Sequence, residues 1–122
     1  MVCMNSISSK GAAMRPLFVF EMANNHMGDV EHGIALIRAI RTACADFWDI
    51  FDFGFKLQYR DLDTFIHRSF QGREDVKYVK RFEETRLSDI QFQTLIEAMQ
   101  DDGFRTICTP FDEASVDRIE AQ

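Results

Sequence analysis

The segment from Phe51 to Tyr59 alternates strictly between large apolar residues and small or polar ones. Its odd positions are Phe, Phe, Phe, Leu and Tyr, and its even positions are Asp, Gly, Lys and Gln. Successive side chains of a strand leave opposite faces of a sheet, so the pattern predicts a β-strand with one apolar face. The other face carries Lys56 and Gln58 near the strand end, where an ammonium and an amide can bind an anion. The alternative is a half-exposed strand whose polar face is only solvated.

Composition narrows the class of protein. The 122 residues are 46% hydrophobic and 28% charged, as in one ordinary globular domain with a real core. A net charge of -6 argues against nucleic acid or an anionic membrane as the main partner. Cys3, Cys44 and Cys108 lack metal-ligand spacing, and we expect reduced thiols in a cytoplasmic protein. No apolar run approaches the roughly 20 residues of a membrane span. Residues 1–15 are expected to form a disordered leader before a domain over 16–122.

Strand and helix patterns alternate along the rest of the chain. The predicted order begins with a buried strand whose apolar run is 17–20 and which ends at 21–23, then a loop at 24–28, a helix after the cap at 29 to about 47, and a strand at 51–59. A helix from 88 to 102, a strand at 104–109 and a helix after 112 follow. Asp29, Ser88 (with Gln91) and Asp112 are predicted helix caps. Such alternation implies parallel strands and an α/β fold. A (β/α)8 barrel takes about 250 residues, so the chain is expected to be the first three βα units of one, truncated.

Polar residues stand at the carboxyl end of every predicted strand. These residues are Glu21, Lys56, Gln58 and Thr109. Parallel α/β folds build their sites at that edge, so a carboxylate, an ammonium, an amide and a hydroxyl are expected to converge there. Chance placement of polar residues at strand ends is the alternative.

Three stretches at these strand ends resemble the N-terminal motifs of the sialic acid synthase (N-acetylneuraminate synthase) family. They are Phe-Glu-Met-Ala-Asn-Asn-His-Met-Gly-Asp at 20–29, Lys-Leu-Gln at 56–58 and Thr-Pro-Phe-Asp at 109–112. The resemblance covers 16–122 and implies a partial TIM barrel, followed in the family by a small antifreeze-like domain. It implies condensation of phosphoenolpyruvate with an N-acetylated amino-hexose of the N-acetylmannosamine type, which yields a nonulosonic acid and phosphate.

The resemblance also implies roles for the strand-end residues. Lys56 would contact phosphoenolpyruvate, Gln58 would donate to the same anion, and Thr109 would be a hydroxyl donor nearby. Glu21 would face the sugar as an acid–base or water-orienting group. The structural alternatives are a solvated Lys56, a Thr109 that serves the turn into Pro110, and a Glu21–Lys56 salt bridge, which is compatible with both roles.

The loop residues carry weaker implications. Asn25 and His26 would bind substrate, although holding the loop is the favoured role of His26. Phe111 would pack against a sugar face or an N-acetyl methyl, with plain core packing as the alternative. Asp112 is interpreted first as a helix cap.

Cofactor and partners follow from the resemblance alone. It implies a divalent metal, Mn or Mg, held by histidines of later strands, and a homodimer. His26, His32 and His67 do not have the spacing of a metal site, so no complete site is expected in this chain.

The connection 60–87 is unusually long and rich in basic and aromatic residues. A short helix is expected near 74–82, with Val76, Val79 and Phe82 inward. The segment is either a lid, an arm toward a second subunit, or a solvated surface. Two other functions remain open: a different phosphoenolpyruvate-condensing synthase, or a degenerate copy that acts only as a binding or oligomerisation module.

Overall fold

The structure is a computed structural model that describes residues 14–122. Its strands are β1 (Leu17–Glu21), β2 (Asp52–Tyr59) and β3 (Arg105–Pro110). Its helices are α1 (Val30–Ala43), α2 (Leu62–Phe65), α3 (Lys77–Glu84), α4 (Asp89–Asp101) and α5 (Glu113–Glu120), with short 3-10 turns at Ala45–Phe47 and Arg68–Phe70. The predicted leader, residues 1–15, lies mostly outside the described residues, and Cys3 lies wholly outside them.

The three strands form one parallel sheet in the order β1-β2-β3. Glu21 of β1 lies beside Lys56 of β2, and Gln58 of β2 lies beside Thr109 of β3. Helices connect the strands, as parallel pairing requires. The predicted class is therefore confirmed: the fold is α/β, and it consists of three consecutive βα units of the kind that build a (β/α)8 barrel.

The apolar face of β2 is the centre of the core. Phe53, Phe55, Leu57 and Tyr59 are all buried there. α1 and α4 cover this face and contribute further buried side chains, namely Ile37, Phe92, Leu95 and Met99. The alternation of the sequence is thus confirmed, because every second side chain of β2 meets the helix layer.

The prediction that the first strand is buried was wrong. Leu17 is 45% exposed, Phe18 50% and Val19 45%. β1 is an edge strand among the described residues, pairing with β2 alone. The side chains of Leu17 and Val19 lie on the sheet face that α1 and α4 do not cover, so their apolar character does not lead to burial here.

Element ends were predicted well where a cap marks them. Asp29 accepts hydrogen bonds from the backbone of Glu31 and His32, and Ser88 with Gln91 forms the full capping box. Gly103 adopts the positive φ of +83° expected after a helix end. Uncapped ends were less accurate: the first helix stops at Ala43 rather than Phe47, and β3 includes Pro110.

The connection 60–87 has a small core of its own. Leu62, Ile66 and Val79 are buried together, with Val76 and Phe82 packed against them. The predicted inward residues are confirmed, although α3 begins at Lys77 and ends at Glu84. The segment is therefore more than a solvated surface, and it lies directly after the carboxyl end of β2.

No helix within residues 14–122 is long and apolar enough to cross a membrane.

Candidate active site

An ion pair joins the first two strands at their carboxyl ends. Lys56 Nζ lies 2.6 Å from Glu21 Oε2, and the side chains remain 34% and 39% exposed. The backbone N–H of Ala23 also donates to Glu21 Oε1 at 3.3 Å, which holds the carboxylate from the loop side. A half-exposed pair contributes only about 0–1 kcal/mol to folding. The Glu21–Lys56 salt bridge expected from the sequence is present, and it leaves both groups accessible.

Gln58 and Thr109 extend this polar row toward β3. They are register partners on the sheet face that also carries Lys56. Gln58 Oε1 accepts a 2.6 Å hydrogen bond from Arg60 Nη2. The structure thus brings together all four strand-end residues named by the sequence.

Arg60 also belongs to the site, although the sequence identifies it only as a basic residue of the connection 60–87. Its guanidinium carbon lies 4.0 Å from the ring centre of Phe111 and 4.7 Å from that of Phe82. A signal was present: Arg60 follows Gln58 by two positions, so an extended backbone directs both side chains to one side. The aromatic partners come from distant segments, which no local pattern reveals.

The loop after β1 is built around His26. This side chain is 2% exposed, and its Nδ1 accepts a 3.0 Å hydrogen bond from the backbone N–H of Gly28. Burial, and then the proximity of His32, hold the pKa of His26 below its ordinary value. These contacts support the loop-holding role that the sequence favoured.

Asn25 and its neighbours shape the same loop. Asn25 is exposed, with its Nδ2 3.5 Å from the carbonyl oxygen of Glu21. Ala23 and Met27 adopt positive φ angles of 43° and 55°, which non-glycine residues rarely do. Such backbone strain is found most often at functional sites.

Phe111 does not belong to the core. It is 44% exposed and contacts Phe65 edge-on, with ring centres 6.3 Å apart. Core packing, one of the two roles considered for Phe111, is therefore wrong, because the ring covers Arg60 at the surface of the site.

Asp112 is the cap that the sequence indicated. Its Oδ1 accepts from the backbone N–H of Ser115, and its Oδ2 accepts from the backbone N–H of Asp61 at 2.9 Å. The Asp112 carboxylate thus caps the N-terminus of α5 and also binds the start of the connection after β2.

A cavity of about 640 Å³ opens beside this row. Gln58 and Arg60 line it, together with His26 and the start of α4, whereas Glu21, Lys56 and Thr109 do not. Two more arginines of its wall are ion-paired: Arg86 with Asp63 at 2.8 Å, and Arg118 with Asp89 at 2.5 Å. The cavity and the strand-end row therefore meet at Gln58 and Arg60.

Residues 14–122 contain no group of three histidine, cysteine, aspartate or glutamate side chains placed to hold a metal ion. The described residues therefore do not supply a ligand set for a divalent metal.

Comparison with known proteins found solved structures only, since no protein-family model and no curated protein matches the sequence. One similar structure is a protein from Chromobacterium violaceum ATCC 12472 that carries the name spore coat polysaccharide biosynthesis protein E. It is 72% identical with a TM-score of 0.82, over 88% of this chain but only 31% of its own length.

A second structure is a spore coat polysaccharide biosynthesis protein from Bacillus subtilis. It is 22% identical with a TM-score of 0.58, over 91% of this chain and 28% of its own, and this likeness concerns the fold alone. In sequence and in fold, the chain is therefore closely similar to a part, less than one third, of the Chromobacterium violaceum spore coat polysaccharide biosynthesis protein E.

Proposed function

We propose that this chain supplies the first part of the active site of a sugar-acid synthase. The enzyme condenses phosphoenolpyruvate with an N-acetylated amino-hexose, of the N-acetylmannosamine type, to give a nonulosonic acid and phosphate. The observation that carries the proposal is the Glu21–Lys56 pair beside Gln58 and Thr109 at the carboxyl ends of adjacent strands. The name of the Chromobacterium violaceum relative, which concerns polysaccharide biosynthesis, supports a role in making sugars.

The residues of this chain suit the anion and the proton transfers of that reaction. C3 of phosphoenolpyruvate attacks the open-chain aldehyde, whose oxygen takes a proton. Water then adds at C2, and phosphate leaves with cleavage of the C–O bond. Lys56 supplies a cation for the phosphate or carboxylate of phosphoenolpyruvate, and Gln58 supplies a neutral donor. Glu21 supplies a carboxylate that can orient water or exchange a proton with the sugar.

The remaining parts of the proposal rest on the resemblance of the three motifs. They are the hydroxyl of Thr109 as a donor, Phe111 as a sugar contact, Asn25 as a substrate contact, and a homodimer. A cytoplasmic location is proposed from the expected reduced state of the cysteines. The divalent metal, Mn or Mg, would polarise the aldehyde, and its ligands would lie outside residues 14–122. No step above depends on it.

The test is phosphate release from phosphoenolpyruvate by the protein as its gene encodes it, in the presence of manganese. We expect release only when N-acetylmannosamine or another N-acetylated hexosamine is present. Release that needs a different aldose would indicate another phosphoenolpyruvate-condensing synthase. If no sugar supports release while the protein is folded, the proposal fails, and a binding or oligomerisation module becomes the better interpretation.

A further inference from the structure

Arg60 occupies an unusual position for a surface-loop arginine. Its guanidinium lies over the rings of Phe111 and Phe82, at 4.0 and 4.7 Å from their centres. Its Nε is buried and has no hydrogen-bond partner within residues 14–122. Burial lowers the pKa of Arg60, an effect that Glu21 and Asp112 partly oppose. The guanidinium stays protonated, as in all proteins, so the site contains a partly dehydrated cation that is packed between aromatic rings.

Arg60 also differs from the neighbouring cations in its charge partners. Lys56 is paired with Glu21, and the cavity-lining Arg86 and Arg118 are paired with Asp63 and Asp89. Arg60 makes no such pair with any carboxylate of the described part of the chain. Glu21 and Asp112 act on it only through the longer-range effect of their charges on its pKa. A partly buried charge without a direct counter-ion is unfavourable, and a bound anion relieves that penalty.

The hydrogen bond between Arg60 and Gln58 determines which atom of the Gln58 amide remains available to a ligand. A guanidinium only donates hydrogen bonds, so the atom of Gln58 that faces Arg60 Nη2 at 2.6 Å must be the oxygen. The amide nitrogen of Gln58 is then left as a donor. Apart from that oxygen, Arg60 and Gln58 present hydrogen-bond donors at the point where the strand-end residues meet the cavity.

We propose that Arg60 and the amide nitrogen of Gln58 form a binding site for one oxyanion group, a carboxylate or a phosphoryl group, of a small anionic substrate. In this arrangement Phe82 and Phe111 orient the planar guanidinium, and Lys56 acts together with Glu21 rather than as the sole anion receptor. The proposal rests on the proposed function only for the identity of the substrate, phosphoenolpyruvate.

The test measures binding of inorganic phosphate and of pyruvate by calorimetry to the protein as its gene encodes it. Phosphate lacks the carboxylate and pyruvate lacks the phosphoryl group, so the two probes distinguish the oxyanions. We expect Arg60→Gln to weaken one or both by about tenfold or more, since a hydrogen bond to a charged group is lost. Arg60→Lys keeps the charge without the planar fork and should weaken the same probe severalfold.

Arg68→Gln is the matched control, because it removes one positive charge from an exposed side chain of the same connection. Far-ultraviolet circular dichroism shows whether each variant folds. Equal affinities of Arg60→Gln and Arg68→Gln for both probes would overturn the proposal. If Arg60→Gln does not fold, Arg60→Lys decides: weaker binding supports the site, and unchanged binding overturns it.

The two proposals fail separately. Arg60-dependent anion binding without any sugar-dependent phosphate release would remove the synthase assignment and keep the site. Sugar-dependent release with an unchanged KM for phosphoenolpyruvate in Arg60→Gln would remove the site and keep the synthase.

Discussion

Lys56 and Glu21 touch at 2.6 Å, yet their roles differ enough for mutation to separate them. We expect Lys56→Ala to weaken phosphoenolpyruvate binding by about tenfold or more, because a charge-assisted contact is lost. Glu21→Gln removes the carboxylate that neutralises Lys56, so binding should be unchanged or tighter while turnover falls. Calorimetry with phosphoenolpyruvate and steady-state kinetics give the two quantities. Equal and small effects of both variants on binding would contradict the roles assigned.

His26 should make folding sensitive to mild acid. Its folded-state pKa lies below the ordinary value of 6.5, so the unfolded chain takes up the proton first. The stabilising contribution is therefore present above about pH 6.5 and is lost as the pH falls below it. Protonation also removes the acceptor for the Gly28 N–H.

Substitution of His26 checks this dependence. Asn places an oxygen near the position of Nδ1 and does not titrate, so His26→Asn should flatten the change in melting temperature between about pH 7.5 and about pH 5.5. His26→Leu should flatten it too, but with a lower stability at every pH because Gly28 N–H loses its partner. A wild-type melting temperature that does not fall over this range would exclude the linkage.

At the residue scale, the sequence predicts which side chains become neighbours when their positions depend only on one strand and the strands beside it. The alternation in β2 and the strand ends predict that Glu21, Lys56, Gln58 and Thr109 are neighbours. The pairing of the strands agrees, with Glu21 beside Lys56 and Gln58 beside Thr109. The environment of Arg60 was not predictable in this way. It depends on Phe82 and Phe111, which reach it only after α3 and β3 are packed.

At the scale of elements, Asp112 links two segments through two different oxygens. Asp112→Ala should lower the free energy of unfolding by about 1–2 kcal/mol, since it removes the cap of α5 and the acceptor for Asp61 N–H. Asp112→Ser can still cap the helix but is too short to bridge, so an intermediate loss is expected. Urea unfolding measures all three proteins. Identical stabilities of the Ser and Ala variants would show that the cap is without effect.

Element boundaries were predictable only where side chains mark them. Asp29, Ser88 and Asp112 each accept backbone hydrogen bonds, and the helices begin where those residues predict. α3 starts at Lys77, and the residue before it, Val76, has no side chain that can accept a hydrogen bond from the first turn. Nothing local therefore marks its start, and the prediction near 74–82 was displaced by a few residues. The exposure of β1 was missed for a different reason, because apolar composition does not reveal which face of a strand is covered.

At the scale of the whole molecule, β1 is an exposed apolar edge. Leu17, Phe18 and Val19 are about half exposed on a strand with one free side in the described sheet. Edges of this kind pair with other chains unless a charge interrupts them. We expect the 122-residue polypeptide, produced by itself, to self-associate, and Val19→Lys to reduce association. Sedimentation velocity over a concentration series measures this, and a monomer at all concentrations would contradict it.

Trp48 precedes β2 at the end of the sheet opposite to Lys56 and is the single tryptophan of the chain. It stacks on Phe53 with ring centres 4.8 Å apart, and the Arg41 guanidinium lies 3.8 Å from its ring centre. The chain thus carries one tryptophan fluorophore, which is partly buried against the core and the Arg41 guanidinium, at the end of the sheet opposite to Lys56 and Gln58. Its emission should report the integrity of the framework while remaining silent to ligand, so a variant that loses binding and keeps the native spectrum has lost its chemistry and not its fold.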